Sequence, residues 1–513
     1  MRGKKAAVFC AVILICAAVL RLYLGNEKTY FHMDEAYSYG MMNEKIRDFT
    51  DRPDFLNTYH DSGYYRSYLS IDPEERGDWG PVYENQARDV HPPFYYLLLR
   101  CAAMAAGGGF TKWSGLGLNL AISLVSGLVL YFLGKELAGS RACGCLACLL
   151  GSLNFMALNM SLYIRMYELA SLAVLLLFLA HLRWVRKRSL WRSAAVCGTF
   201  LLGAFTHYYC LIFGASLWLM TTAECVRKRD FRGLLVYEGC VLSAAGIFLL
   251  TFPWALNPIA GNYRGIGQAA SLGQLPERAE LFLKILNEQL FGGMWPLWIG
   301  ALLAAVLLTG RRKPLLFLGF PLLVYFGAVA WEAPYLEDRY LMPACGILSL
   351  LLTLTVFGLC RRFGTERAAF PAAGAVLAVL LLLPFLQKKE LPYIYGQYRG
   401  AANQARQQHP DMVYLFDPSD DRFLDDIYLF TLSRKSFIMD SGRVSEQTLT
   451  EAMEPLGDSV WVFVSQKAEL PGKGIWGWSV SGSREMNACR IYMYERDAAE
   501  GEEEHVSYSG GGR

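Results

Sequence analysis

Four short stretches of this sequence gather residue types that do chemistry. They are Tyr30-Phe31-His32-Met33-Asp34-Glu35-Ala36-Tyr37, His91-Pro92-Pro93-Phe94-Tyr95-Tyr96, Tyr163-Ile164-Arg165-Met166-Tyr167-Glu168 and Glu337-Asp338-Arg339-Tyr340. An adjacent acidic pair offers a general base with a neighbour to orient it. Two arginines offer a forked grip on an anion. Taken singly, each stretch also fits a plainer role. Asp34-Glu35 suits an acidic helix cap, and His91-Pro92-Pro93 suits punctuation between a loop and a helix. Arg165 and Arg339 suit interfacial arginines with buried stems. His207, alone between two short apolar runs, suits a hydrogen-bonded structural histidine. The combination of one acidic pair and two arginines points to a base beside an anion site.

The elements that must position these residues are apolar helices. The 513-residue chain is 54% hydrophobic and only 19% charged, with a formal net charge of +3. An ordinary soluble domain is about 25% charged. Charge is clumped here, and the gaps are runs approaching the ~20 apolar residues that cross a bilayer. Such runs occupy 6–24, 116–133, 143–160, 170–184, 194–205, 208–220, 234–256, 295–308, 315–331, 341–359 and 372–386. No basic stripe with interleaved aromatics marks a nucleic-acid surface. Twelve of the thirteen cysteines lie in or beside apolar segments, Cys101 in the shorter one at 94–106. Cys143, Cys145 and Cys148 read as small packing residues, because no His or second Cys pair accompanies them. The first run starts like a signal peptide, but Arg21-Leu22-Tyr23-Leu24 stands where a small-residue cleavage site belongs, so an uncleaved helix is expected.

Basic clusters mark cytoplasmic loops. They are Arg2-Gly3-Lys4-Lys5, 183–188, Arg227-Lys228-Arg229, Arg311-Arg312-Lys313 and Arg361-Arg362. From the second cluster on, two apolar runs separate each from the next. The turns at 206–208, 257–291 and 332–340 then face outward, as does everything after 386. Lys135 to Arg141 belongs inside by the same count, while residues 25–92 lie outside. Only an odd number of crossings fits between them. The segment 94–106, broken by Arg100 and closed by Gly107-Gly108-Gly109, therefore reads as a half-length or interfacial helix. The alternative makes 135–141 an outside loop and misplaces a later helix pair. The expectation is about eleven full crossings, a cytoplasmic N-terminus and all four polar stretches on the outer face.

The order His32-Met33-Asp34-Glu35, a long outer loop, His91-Pro92-Pro93-Phe94-Tyr95-Tyr96 and Arg165-Met166-Tyr167 resembles the C-type glycosyltransferases. Within them it is most similar to the protein O-mannosyltransferase and aminoarabinose-transferase branch. The resemblance covers roughly residues 1–390, is sharpest over 30–170, and extends to Arg339-Tyr340. It implies a polytopic membrane enzyme that takes a sugar from a polyprenyl-phosphate donor on the outer face of the plasma membrane. It implies Asp34 as catalytic base, with Glu35 orienting it or binding sugar hydroxyls or a divalent cation. Arg165 and Arg339 would hold the donor phosphate. His91, Tyr95, Tyr167, Tyr340 and His207 would bind or support the substrate, with Phe94, Tyr95 and Tyr96 facing lipid or the prenyl chain. One displacement with one base inverts the anomeric centre. No dedicated metal site is expected, since His32 and His91 lack companion ligands, and a divalent cation is the one cofactor left open.

Residues 1–390 thus form the membrane domain, with a long first outer loop at 25–92. Residues 391–496 read as a small α/β domain with a mostly parallel sheet, and 497–513 as a disordered tail. Strands are expected at 412–416, 436–439, 460–465 and 490–494, and helices at 422–432 and 445–456. Two other functions compete: a polymerase or ligase of lipid-linked glycans, and a transporter or flippase. Transporters place charges at mid-bilayer on broken helices and carry internal repeats; here the charges sit at helix ends and no repeat is found.

Overall fold

The structure, a computed structural model, describes residues 3–43, 48–257, 273–310, 312–419, 422–472 and 475–497. Arg2, Arg311, Asp420, part of the 257–291 turn and the tail from 498 lie outside the described residues. The chain divides into two compact units: Met1–Arg47 with Tyr68–Gln397, and Asp48–Ser67 with Tyr398–Arg513. The second unit therefore begins a few residues later than the sequence boundary at 390 and draws a segment from the first outer loop.

The first unit is an all-helical membrane bundle. Among the described residues, eight helices are long and apolar enough to cross a bilayer, from Gly3–Glu27 to Glu366–Gln387. A bent pair makes a ninth when taken as one span, and Phe94–Ala105, Leu190–Thr206 and Trp295–Leu308 are shorter apolar helices. The bent pair is a correction, because 143–160 reads as one straight run. It breaks by 50° between Arg141–Leu153 and Phe155–Leu162. Asn154 is extended and caps the second helix, accepting from the Ala157 N–H at 2.9 Å. Its amide also reaches Leu150 O and Ser349 Oγ. Arg21 donates to Ser152 O at 2.8 Å, satisfying a carbonyl at the bend.

The bundle has two distinct ends. At one, Glu136 accepts from Arg183 and Arg186, Ser140 donates to Glu366, and Arg188 pairs with Asp230. Arg362 donates to Leu308 O at the same end. The turn at 135–141 therefore lies with the 183–188 cluster, which removes the alternative of placing it on the other face. Phe94–Ala105 is a 12-residue helix, short as expected. Its buried Arg100 donates to Met42 O and Glu75 O, so the charge is spent on backbone carbonyls.

The second unit is a six-stranded sheet with the order β1-β3-β2-β4-β6-β5. The strands are β1 Tyr59–His60, β2 Asp411–Phe416, β3 Ser436–Asp440, β4 Ser459–Ser465, β5 Trp478–Glu485 and β6 Cys489–Arg496. Only β3-β2-β4 is parallel; the other three pairings are antiparallel, so the sheet is mixed rather than mostly parallel. Helix Phe423–Phe430 sets its rings against Tyr414 and Phe463, and Glu446–Met453 packs on the opposite face against Val413, Leu415 and Val462. The loop segment seals an edge. β1 pairs with β3, Asn57 N–H donates to Ile438 O, and Tyr65 Oη meets Ser436 Oγ at 2.6 Å. Phe49, 1% exposed, stacks on Phe423 with centroids 5.8 Å apart. Phe49→Ala should cost the unit about 3–5 kcal/mol and speed protease nicking between residues 48 and 67 in the intact solubilised protein. Nicking at the wild-type rate would show that Phe49 does not hold the loop.

Candidate active site

The site is built at the end of the bundle opposite Glu136. Helix Met33–Asn43 opens it with a reciprocal cap. His32 Nδ1 accepts from the Asp34 N–H at 3.1 Å, and Glu35 Oε2 accepts from the His32 N–H at 3.0 Å. Asp34 and Glu35 occupy the first turn, where the helix dipole favours negative charge. Their side chains then part company.

Asp34 faces the opening, with 19% of its side chain exposed. Its Oδ2 accepts from Tyr163 Oη at 2.7 Å and pairs with Arg339 Nη1. Arg165 Nη1 donates to the Asp34 backbone carbonyl at 3.2 Å and to Tyr96 Oη at 3.1 Å. Both arginines thus converge on Asp34 from turns far apart in sequence. Arg165 is 3% exposed, and its buried Nε has no partner among the described residues. Burial pushes the Asp34 carboxyl up. The charges of Arg339 and Arg165 and the Tyr163 hydroxyl outweigh that and hold it well below the usual carboxylate range.

Glu35 is fully buried and its oxygens are taken. Oε2 accepts from Lys28 Nζ at 3.0 Å, and Oε1 from the Ile164 N–H at 2.9 Å. Lys28 donates its other contact to Tyr393 O at 2.7 Å. Glu35 therefore ties three segments together.

The supporting residues divide the same way. Tyr167 stacks parallel to Tyr163, and its ring lies 5.5 Å from His207. His207 lies 5.9 Å from His91, whose Nδ1 meets Asp89 Oδ2 at 2.7 Å. Burial lowers both imidazoles; at His91 the Asp89 charge opposes it, and at His207 the charges of His91 and Arg165 add to it. Tyr340 lies beneath Arg339, with the guanidinium 5.4 Å from its ring centre. Tyr95 does not face lipid or a prenyl chain. It is fully buried and donates to Asn119 Oδ1, while the Asn119 amide holds Tyr163 O. Tyr96 is equally buried against Arg165. Sequence reasoning missed Lys28 and Tyr393 as members of the site, and it gave no role to Tyr163 and Asp338, which lie inside two of the four stretches. Among the described residues, no group of three or more His, Cys, Asp or Glu side chains is arranged to hold a metal ion.

Against known structures, the chain aligns over 96% of its length with 98% of ArnT from Cupriavidus metallidurans, whose crystal structure is bound to undecaprenyl phosphate. The TM-score is 0.52 and the identity 12%. The chain has the ArnT fold. An oligosaccharyltransferase from Archaeoglobus fulgidus, in complex with zinc and sulfate, aligns at TM-score 0.46 and 13% identity, over 88% of this chain and 68% of that one. No family model and no curated protein matches the sequence.

The Lys28–Glu35 pair makes a specific demand on stability. Lys28→Met leaves a buried carboxylate without its cation and should cost about 3–5 kcal/mol. Lys28→Met with Glu35→Gln removes both charges and should recover most of that loss. Thermal unfolding of the solubilised proteins checks this; a Lys28→Met variant that unfolds with the wild type would show the pair to be inert.

Proposed function

We propose that this protein transfers a sugar from a polyprenyl-phosphate donor to a hydroxyl acceptor at the membrane surface, by one inverting displacement with Asp34 as base. The observation that carries the reading is the meeting of one partly exposed carboxylate, Asp34, with Arg165 and Arg339 at one end of a membrane bundle. The fold shared with ArnT, a protein crystallised with undecaprenyl phosphate, supports the donor class. In the proposed step the acceptor oxygen attacks the anomeric carbon, the bond to the phosphate oxygen breaks, and polyprenyl phosphate leaves with the electron pair. Arg165 and Arg339 take up the leaving charge. The acceptor proton passes to Asp34.

A carboxylate gripped by arginine is a weak base. The donor phosphate competes for the same guanidinium, so Arg339 turns from Asp34 to phosphate as donor binds, and Asp34 gains basicity when it is needed. The arginines do the neutralising work.

Asp34→Asn should lower transfer by ~10²-fold or more; near-normal transfer by a folded Asp34→Asn protein would end the assignment. Arg165→Lys and Arg339→Lys keep charge but lose the fork. Each should weaken donor binding ~10- to 150-fold, and the double variant should be non-additive if both touch one phosphate. Unchanged affinity in either single variant would remove that arginine from the donor site.

The basic end of the bundle, with Arg183, Arg186 and Arg188, is assigned to the cytoplasm by its charge, and Asp34 and the C-terminal unit to the outside. In a cysteine-free background, a cysteine at Ser419 should react with an impermeant thiol reagent added outside spheroplasts, and one at Lys228 should not. The reverse labelling would turn the protein over.

A further inference from the structure

Beyond the base and the arginines, we propose that Tyr163 is the positioning residue of Asp34: it fixes Oδ2, so that Oδ1 alone meets the acceptor hydroxyl. This rests on the sugar-transfer reading above. The two carboxylate oxygens are treated differently. Oδ2 receives Tyr163 Oη at 2.7 Å and Arg339. Oδ1 receives no hydrogen bond among the described residues, while the side chain keeps 19% of its surface open. When the donor phosphate draws Arg339 away, Tyr163 is the tether that remains.

The tyrosine is itself held on every side. Its ring lies parallel between Tyr393, 4.1 Å away at 12°, and Tyr167, 5.8 Å away at 6°. Tyr393 Oη donates to Asp338 Oδ1 at 2.9 Å. Asp338 Oδ2 accepts from Asn159 and Gln289 at 3.1 and 2.8 Å. The Tyr163 carbonyl is held by Asn119 at 2.8 Å. A phenol fixed by ring stacking, by its backbone and by a buttressed neighbour has one free variable, the direction of its O–H, and that points at Asp34. Burial and the Asp34 charge push this phenol well above its ordinary value, so it stays a donor throughout the working range.

The test compares Tyr163→Phe with a fluorotyrosine at position 163 in full-length solubilised protein, with Asp34→Asn alongside. Phenylalanine keeps the ring stack and removes one donor. The turnover rate should fall about 10-fold or more, with the donor KM within about twofold of wild type. A hydrogen bond to the charged form lowers a carboxyl pKa, so its loss should move the acidic limb of the rate profile to higher pH. Fluorotyrosine is a stronger donor and should move that limb the opposite way. Opposed shifts are not expected from mere loosening of the fold. A rate and pH profile unchanged in Tyr163→Phe would overturn the proposal. So would a fall in rate with no shift of the limb in either variant. Full activity of Asp34→Asn would instead remove Asp34 as the base, whatever Tyr163 does, and no transfer by the wild type from a polyprenyl-phosphate sugar would refute the sugar-transfer reading.

Discussion

A carboxylate can stay ionised at the end of an apolar bundle only if its charge is answered. Desolvating an ion costs several kcal/mol even after the protein relaxes. Asp34 meets that cost with Arg339 on its carboxylate, Arg165 on its own peptide carbonyl and the dipole of helix Met33–Asn43 beneath it. Those three answers come from three parts of the chain, so the bundle must bring the 32–35, 163–167 and 337–340 turns together before the site exists. Lys28–Glu35 does the same one residue further on, joining the first turn to Ile164 and Tyr393. The difference between the pairs is access. Glu35 and Lys28 are sealed, so their pairing is permanent. Asp34 and Arg339 are partly open, so a competing anion can separate them.

That distinction marks what the sequence could reveal. Asp34, Arg165 and Arg339 were legible because hydropathy and basic clusters report depth: all three fall in turns at the same end of the membrane. Depth says nothing about which way a side chain points around its helix. Glu35 is next to Asp34 in sequence but turned inward, and Tyr95 and Tyr96 sit in an apolar helix yet point into the bundle. Lys28 was invisible because a lysine after a first crossing normally snorkels to water. Tyr393 was hidden in a link between two domains, where no periodicity singles it out.

The C-terminal unit shows the same limit. Buried strands such as β2 and β4 announce themselves as apolar runs. β5 is mostly exposed, with the run Trp-Ser-Val-Ser-Gly-Ser-Arg-Glu, and offers no such signal. β1 is two residues long, and His60 lies 376 residues from its partner Ser436 in β3. It forms because Phe49, Phe55 and Tyr65 supply aromatic faces for Phe423 and its neighbours. Tertiary packing, not local propensity, makes that strand, and a piece of the long loop at 25–92 becomes part of a sheet.

The bend at Asn154 connects fold to site. A straight helix carried on from Arg141–Leu153 through Leu162 would deliver Tyr163 on the axis of its own first half. At 1.5 Å per residue, Phe155–Leu162 is about 12 Å long, and a 50° bend carries its end sideways by about 9 Å. That is larger than any hydrogen bond can stretch, so without the bend Tyr163 and Arg165 would miss Asp34 altogether. The bend in turn exposes backbone groups that lipid cannot satisfy, and Arg21 from the first helix supplies Ser152 O with a donor. The same first helix leads into Lys28 and the Asp34 turn. One helix therefore both satisfies the bend at one level and leads into Asp34 at the next, which ties the position of Asp34 to the element that brings Tyr163 and Arg165 to it.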